Sequence, residues 1–495
     1  MKRELNIFEE GISPVKVMFM LAWPTIIEQF LMSAVMYVDT AMVGALGADA
    51  SAAVGLNSST TWLINGICGA LGVGFSVLVG RNIGGGDHEK AKKIVRQALM
   101  AMLVFGAAIS AILFCISGYL PGWLGADESL RNDAASYLSI IAFIYLFNVP
   151  NAISGAIVRC AGDTRTPMFS NLTANILNVG LNFLFIFPTR DISLFIKIPF
   201  TETVLIDASF TMWGAGWGIR GAAFASVISM AVSATIMLIT LFVKDYPARI
   251  SLKDKYKFDG GVWKEMLTLA YPVALERMAL SGGQIVVTSM VTGLGTKVLA
   301  AHYLAITAES ITYMPVFGFS TAATTLVAQT LGAERRDLAK RFSNYCLYYG
   351  MVFMTLMGVV LYVFAEPLLA IMSNDPEVIT LGSRVLRIEA FAQTMFAAAN
   401  VTSGILRGAG DTKWSFYIGF VGMWGVRIGV AYLLAYVFDL GLIGAWYAMF
   451  LDLTMRGILS LIRFYRGKWL YAWRTPGEGN ANKKGILKIH DGGKL

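Results

Sequence analysis

The sequence predicts an all-α membrane protein with twelve transmembrane helices, arranged as two pseudo-symmetric lobes of six helices each. Two observations predict this fold. Hydrophobic residues make up 56% of the 495 residues and charged residues only 15%, and the mean hydropathy is +0.61. Soluble domains contain fewer hydrophobic and more charged residues than this. The chain also repeats itself at a constant spacing of 248 residues, which indicates two copies of one folding unit.

The repeat is clearest at residues that shape the backbone. Pro24 recurs as Pro272, and the longest shared motif, Arg-x-Ala-Gly-Asp-Thr, occurs at 159–164 and again at 407–412. Because turn residues occupy the same places in both copies, the two halves are expected to share one fold.

Apolar segments of about 20 residues, enough to cross the hydrocarbon core of a bilayer, occur six times in each copy. In the first copy we expect them at 17–43, 52–79, 95–118, 134–158, 168–188 and 218–243. In the second copy we expect them at 266–293, 300–328, 342–364, 380–404, 415–437 and 441–465. An even number of spans returns each copy to its starting side, so the repeats are parallel and related by an axis along the membrane normal.

The segments between the spans predict orientation and domain boundaries. Those on one side hold 30 of the 40 basic residues, which places that side and both termini in the cytoplasm and the chain in the inner (plasma) membrane. The net charge of +8 then follows from the basic residues on the cytoplasmic side, and no nucleic-acid partner is needed to explain it. The expected parts are an N-terminal lobe (1–243), a cytoplasmic linker (244–264), a C-terminal lobe (265–465) and a mobile cytoplasmic tail (466–495). An insertion at 188–217 alternates apolar and polar residues and predicts an external hairpin.

No catalytic or metal-binding motif accompanies these spans. The four cysteines lie far apart without a Cys-x-x-Cys pair, and there are only three histidines and no His-Glu-x-x-His. An intramembrane enzyme is disfavoured because no nucleophile and base pair is found beside the in-span acids. We expect neither a metal nor a cofactor.

Ionisable residues inside membrane spans are costly, so each one is a candidate for function. The first span holds Glu28 and Asp39, whose spacing of eleven residues places both carboxylates on one helix face. The fifth span carries four asparagines on one face. Removal from water disfavours the charged form of a carboxylate, so proton exchange near neutral pH becomes possible. The expected ion-coupling residues are Asp39, Asn178, Asn182, Ser226 and Glu28, whereas Asn171 and Asn175 are expected to link helices.

In the second lobe, acidic, amide, aromatic and methionine side chains predict a binding site for varied organic cations. The expected substrate-binding residues are Glu276, Glu309, Glu389, Gln284, Gln393, Tyr313 and Met314. Asp452 and Arg456 have the i,i+4 spacing of a helical ion pair and are expected to neutralise each other. Arg427 could neutralise one of the acids.

Several motifs resemble those of the multidrug and toxic compound extrusion (MATE) family. They are Tyr-Val-Asp-Thr-Ala-Met-Val-Gly at 37–44, Pro-Val-Ala-Leu-Glu at 272–276, Ala-Glu-Ser-Ile-Thr-Tyr-Met-Pro at 308–315, and the repeated Arg-x-Ala-Gly-Asp-Thr loop. The resemblance extends from Val15 to about Arg466. It implies two lobes around a central cleft, which opens alternately to the two sides while a cation is exchanged for a drug.

The resemblance also implies roles for particular residues. The acid of the family's first span matches Asp39, and the paired asparagine of the fifth span matches Asn178. The chain departs from some relatives at Asn182, where they carry a second acid, and at Glu28, where many carry an uncharged residue. One carboxylate fewer favours proton coupling through Asp39 over sodium coupling.

The expected function is therefore proton-coupled efflux of organic cations or toxins by a monomer in the lipid bilayer. Sodium coupling stays open, and so does flipping of a lipid-linked oligosaccharide by a member of the same superfamily.

Overall fold

The computed structural model describes residues 13–124, 128–197, 204–251, 253–254 and 256–472. In the first repeat, α4 (Leu120–Trp123) is a short helix before the fourth span, which consists of α5 (Glu128–Ile141), a 3-10 turn (Ala142–Ile144) and α6 (Tyr145–Cys160). The other five spans are α1 (Pro14–Gly44), α2 (Ala48–Gly84), α3 (His88–Ile116), α7 (Arg165–Phe185) and α8 (Gly218–Val243).

The second repeat follows the same plan. Its first three spans are α9 (Gly260–Thr292), α10 (Thr296–Gly332) and α11 (Arg336–Val363), followed by the short α12 (Ala365–Ala370). The fourth span is α13 (Pro376–Ala390) with α14 (Gln393–Gly408), and the last is α17 (Gly441–Tyr465). The fifth span combines α15 (Thr412–Phe420), a π-helix (Val421–Ile428), α16 (Gly429–Tyr432) and a second π-helix (Leu433–Val437). Every predicted span therefore coincides with helical structure.

Eight helices of the described chain are long and apolar enough by themselves to cross a membrane, and α10 adds a ninth when its two bent parts are taken together. Its parts meet at an angle of 44° next to Ser310, where Pro315 removes a helical hydrogen bond four residues earlier. The remaining spans are the asparagine-bearing α7, the charged α9 and the divided α13 and α14. Helices α7, α9, α13 and α14 carry several of the polar residues described below.

The predicted hairpin is confirmed. Strands β1 (Pro188–Lys197) and β2 (Val204–Ala215) pair in antiparallel register, with Asp191 opposite Thr211. The Thr211 hydroxyl donates to Asp191 Oδ1 at 2.5 Å. We call this side of the molecule the hairpin end and the opposite side, where α8 leads to α9, the linker end.

Four buried hydrophobic clusters reveal how the two lobes meet. At the hairpin end each lobe has a cluster of its own, around Met42 and Ile186 in the N-terminal lobe and around Val291 and Trp446 in the C-terminal lobe. At the linker end both clusters contain residues of both lobes. The lobes therefore share hydrophobic cores at the linker end and have separate cores at the hairpin end.

The shared clusters arise because the first helix of each lobe begins inside the other lobe. Residues of α1 before Pro24, including Met18 and Leu21, pack in the C-terminal core. Residues of α9 before Pro272, including Met266, pack in the N-terminal core. After its proline each helix continues in its own lobe, and proline is a natural point of bending in a helix.

The repeated Arg-x-Ala-Gly-Asp-Thr loop follows the fourth span of each lobe. Gly162 has φ of 98° and Gly410 has φ of 79°, a left-handed conformation that closes the preceding helix and favours glycine. The following aspartates hold the last helix of each lobe: Lys244 donates to Asp163 Oδ2 at 2.5 Å, and Arg463 donates to Asp411 Oδ2 at 2.6 Å.

Two predicted boundaries are wrong. The linker was expected to reach residue 264, but α9 begins at Gly260 and Asp259 caps it by accepting from Gly261 and Val262. The linker is also docked on α3, because Gln97 Nε2 donates to the Lys257 carbonyl at 2.6 Å and Gln97 Oε1 accepts from the Asp259 amide at 3.1 Å. Buried Gln97 thereby satisfies backbone groups that would otherwise need water.

The expected tail also begins later than residue 466. A 3-10 helix (Lys468–Tyr471) folds back, and Trp469 stacks on Phe464 at 5.7 Å between ring centroids. Its indole nitrogen donates to the Phe464 carbonyl at 3.0 Å. The rest of the predicted tail, from 473 to 495, lies outside the described residues.

The Asp163 contacts predict a test of linker docking. Burial alone would raise the pKa of Asp163, but hydrogen bonds from Lys244, Thr166 and Tyr246 outweigh it and hold the pKa below its usual 3.8. A lowered folded-state pKa means that the stabilisation is present above pH 3.8 and is lost as the pH falls through the lowered value. Asp163→Asn should speed trypsin cleavage of the linker at neutral pH about fivefold, since charged hydrogen bonds at a partly exposed site contribute about 1 kcal/mol.

The matched control is Asp245→Asn, which changes an exposed carboxylate of the same segment and should be cut at the wild-type rate. Equal cleavage rates in Asp163→Asn and Asp245→Asn would contradict the role of Asp163 in holding the linker.

Candidate functional site

The structure brings together four of the five predicted ion-coupling residues. Asn182 Nδ2, on α7, donates to Asp39 Oδ1 on α1 at 2.6 Å and to Asn178 Oδ1 at 3.1 Å. Asn178 Nδ2 donates to Ser226 Oγ on α8 at 3.3 Å. The first, fifth and sixth spans of the N-terminal lobe thus meet around one carboxylate.

The amide of Asn178 is best assigned with its nitrogen toward Asp39, because in the opposite orientation its oxygen faces the carboxylate oxygens. In the orientation above, an amide oxygen faces the carboxylate, which is favourable only when the carboxyl group carries a proton to donate. After a 180° rotation, the Asn178 nitrogen donates to Asp39 Oδ1 at 2.8 Å and to Oδ2 at 3.1 Å. A charged carboxylate, which can only accept, requires this second orientation.

Glu28, the fifth predicted ion-coupling residue, lies in a different cluster. Arg159 Nη1 donates to both Glu28 carboxylate oxygens at 3.1 Å, and Asn171 Nδ2 donates to Glu28 Oε1 at 2.5 Å. Glu28 is only 3% exposed and is separated from Asp39 by about 16 Å along α1. The structure therefore assigns Glu28 an ion pair of its own and does not group it with Asp39.

The second repeat reproduces this ion pair. Arg407 Nη2 donates to Glu276 Oε1 and Oε2 at 3.3 and 3.4 Å, and Ser415 Oγ donates to Oε2 at 2.9 Å. Gly419 occupies the position equivalent to Asn171, and a small cavity of about 50 Å³ lies beside it. Glu276 lines this cavity and pairs with an arginine, and its contact with substrate stays a prediction.

A larger polar cluster fills the centre of the C-terminal lobe. Asp452 Oδ2 accepts from Arg427 Nε at 2.8 Å and from Arg456 Nη2 at 2.6 Å, which confirms the predicted Asp452–Arg456 pair. Arg427 also donates to Gln284 Oε1 at 3.3 Å. Arg427 lies in the first π-helix, and α17 approaches this helix so closely that a β-carbon at Gly422 would lie 2.3 Å from Asp452 Oδ1.

Three residues predicted to bind substrate are part of this buried cluster. Glu389 and Gln393 are fully buried and Glu309 is 5% exposed. None of the carboxylate or amide atoms of Glu389 and Gln393 has a hydrogen-bond partner among the described residues. The charged groups that interact electrostatically with Glu389 are Glu309, Arg427, Asp452 and Arg456. These acids and amides are buried in the interior of the C-terminal lobe, and their contact with substrate stays a prediction.

The predicted aromatic and methionine contacts lie on α10. Tyr313 packs edge-on against Phe317 and Phe396, with ring centroids 6.0 and 5.7 Å apart, and Met314 is half-buried beside it. Near the bend of the same helix, Tyr37 Oη of the other lobe is 2.8 Å from Ser310 Oγ. The part of α10 around Ser310 therefore also contacts α1 of the other lobe.

The sequence reasoning missed Arg277. It follows Glu276 on α9, and its Cβ is 3.1 Å from where a β-carbon of Gly66 on α2 would lie. A basic residue in the middle of a span was the available signal. Arg277 places a positive charge where the two lobes meet, opposite in sign to the acids that suggested a cationic substrate.

The fold and this site define a class of protein. Two parallel six-helix lobes, which share cores at one end and surround a polar site inside one of them, have the architecture of a membrane transporter. Such a protein is not an enzyme.

The family model MatE matches residues 24–184 and again 272–433, two segments whose starts are one repeat apart. The chain belongs to the MatE family, which confirms the resemblance found in its motifs.

Relatives with curated names cover nearly the whole chain. The "Probable multidrug resistance protein NorM" of Thermotoga maritima is 28% identical over 92% of this chain and 93% of its own length. The "Uncharacterized transporter YisQ" of Bacillus subtilis is 24% identical over 92% of this chain and 94% of its own length. A solved structure described as an outward-facing multidrug resistance MATE family transporter aligns with a TM-score of 0.83 at 22% identity, over 93% and 98% of the two chains.

The ion pair near Pro24 predicts a stability effect. Glu28→Gln and Arg159→Gln should each lower the free energy of unfolding by about 3 kcal/mol, since removing one member of a buried pair leaves the other charge uncompensated. The double variant should recover most of this loss, because neither charge remains. Thermal unfolding in detergent measures the effect, and Glu276→Gln with Arg407→Gln provides the equivalent test in the other lobe. A fully stable Glu28→Gln protein that has lost transport would instead support ion coupling at Glu28.

The C-terminal cluster predicts opposite effects for two buried acids. Glu389 is the acid of this cluster whose carboxylate oxygens have no hydrogen-bond partner among the described residues, so Glu389→Gln breaks no contact and should leave the free energy of unfolding unchanged or higher. Asp452→Asn should lower it by about 3 kcal/mol because both arginines lose their shared counter-ion. Comparison of the two unfolding temperatures checks this, and greater destabilisation by Glu389→Gln would refute the assignment.

Proposed function

We propose that this protein exports small organic compounds across the cell membrane in exchange for protons, with Asp39 as the proton-binding group. One observation carries the proposal. Among the described residues, the hydrogen-bond partners of Asp39 are neutral amides, whereas Glu28 and Glu276 are each paired with an arginine. A carboxylate with a permanent counter-charge stays ionised, but one surrounded by amides can gain and lose a proton.

Protonation of Asp39 changes the hydrogen bonds among three helices. When Asp39 is charged, both Asn182 and the rotated Asn178 donate to it, and two amides of α7 hold the carboxylate of α1. When Asp39 is neutral, its hydroxyl donates to Asn178 Oδ1, and the Asn178 nitrogen turns to Ser226 on α8. Protonation thus reverses the Asp39–Asn178 hydrogen bond and makes the Asn178 nitrogen a donor to α8, while α1 and α7 stay linked.

Exchange requires that the proton and the exported compound favour different states of the two lobes. A ligand that binds both states equally shifts nothing, however tightly it binds. In this proposal protonation from outside favours the state in which the compound is released outward, and loss of the proton to the cytoplasm resets the cycle.

The relative from Thermotoga maritima, named as a probable multidrug resistance protein, supports a broad substrate range. The acids that suggested cationic substrates are buried in the C-terminal lobe, so the proposed substrates are small organic compounds with apolar or aromatic surfaces. The basic residues at the linker end support a cytoplasmic location for that end and for both termini. One chain holds both lobes, which supports a monomer.

Sodium is the second candidate for the coupling ion, and one observation favours it. Asn182 Oδ1 is buried without a hydrogen-bond partner among the described residues. Together with oxygens of Asp39, Asn178 and Ser226, it supplies the kind of ligand that hard cations prefer.

Asp39→Asn tests the proposal directly. The variant cannot exchange a proton at this position, so efflux of a fluorescent organic cation from proteoliposomes under an imposed pH gradient should fall to the level of empty vesicles. Asn175→Ala removes an amide from the same helix face and should retain efflux. Wild-type efflux by Asp39→Asn would sink the proposal, and wild-type efflux driven by a sodium gradient alone would favour the sodium alternative.

A further inference from the structure

Helices α2 and α10, from different lobes, cross at the linker end with their backbones in contact. The crossing is formed by Gly84 and Gly332, which are equivalent positions of the repeat. A β-carbon at Gly84 would lie 1.9 Å from the Gln329 carbonyl oxygen, and one at Gly332 would lie 2.0 Å from the Arg81 carbonyl oxygen. Arg81 and Gln329 are also equivalent, so each helix presents the same carbonyl to the other's glycine.

Neither glycine can be replaced without separating the helices. The obstructing atoms are backbone carbonyls, which cannot turn aside as a flexible side chain can. Small residues allow transmembrane helices to approach at this distance, and the contact of Cα–H groups with carbonyl oxygens adds a weak attraction.

Side chains clamp the same crossing. Gln329 Nε2 on α10 donates to the Cys160 carbonyl of the other lobe at 2.5 Å, and Thr325 Oγ1 donates to the Arg159 carbonyl at 3.3 Å. Thr325 Oγ1 also lies 3.8 Å from Cys160 Sγ. The end of α6 that receives these bonds also carries the arginine that holds Glu28.

We infer that the Gly84–Gly332 crossing, with its Gln329 clamp, is the contact that closes the linker end of the transporter. The inference rests on the alternating access proposed above. The lobes have separate cores at the hairpin end but share cores at the linker end, so a state open to the linker side must part this crossing. Because both positions lack a β-carbon, the two lobes can pack in the arrangement that is closed at the linker end. The close contact at this crossing therefore favours the closed arrangement over the open one.

A native cysteine reports on the crossing. Cys160 is 3% exposed beside the clamp, whereas Cys346 is fully buried inside the C-terminal lobe. Two versions of the full chain, one retaining only Cys160 and one only Cys346 with the other cysteines changed to alanine, would be purified in detergent and treated with a maleimide. Gly84→Ala and Gly332→Ala should each raise the rate of Cys160 labelling about tenfold or more, because a minor open state populated at a few per cent becomes a major one. Cys346 should stay unlabelled.

Gly69→Ala is the matched control, since no atom lies within 4 Å of a β-carbon at this position of α2, and its labelling should equal that of wild type. Unchanged Cys160 labelling in both crossing variants would overturn the inference. Parallel increases at Cys160 and Cys346 would also overturn it, because they would show general loosening. The labelling uses neither a proton gradient nor Asp39, so failure of the coupling proposal would leave this result intact.

Discussion

Each lobe depends on one buried ion pair, between a glutamate one turn after the proline of its first helix and an arginine at the end of its fourth span. The pairs Glu28–Arg159 and Glu276–Arg407 lie where α1 and α9 return from the opposite lobe to their own. A buried charge must have its partner, so the path of each exchanged helix is fixed at this point. The aspartate four residues after each arginine then holds the last helix, and one short loop connects the first, fourth and sixth spans.

The two lobes share this scaffold but differ in what it surrounds. The position equivalent to Asp39 is Val287, and the position equivalent to Asn171 is Gly419. The N-terminal lobe therefore contains a carboxylate held by amides, the proposed proton-binding group. The C-terminal lobe contains arginines that pair with its acids. The repeat gives the transporter its two lobes, and the differences between the copies confine the proposed proton site to one of them.

The sequence predicted the spans and the hairpin because hydropathy and alternation are local properties of the chain. It also predicted the asparagine stripe, since a helical period places α7 residues on one face whatever they contact. It could not separate Asp39 from Glu28, because Arg159 lies 131 residues from Glu28 and falls at a helix end that hydropathy assigns to a loop. The docking of the linker on α3 involves Gln97, whose burial no local pattern indicates.

The coupling of proton binding to lobe movement can be measured with spin labels at Asn132 and Thr380. These exposed, equivalent positions of α5 and α13 lie on different lobes near the hairpin end. The distance distribution between the labels in the purified full chain should change between pH 8 and pH 5 in the wild-type background and become independent of pH in Asp39→Asn. A pH-dependent change that persists in Asp39→Asn would contradict the assignment of Asp39 as the group that couples protons to the two lobes.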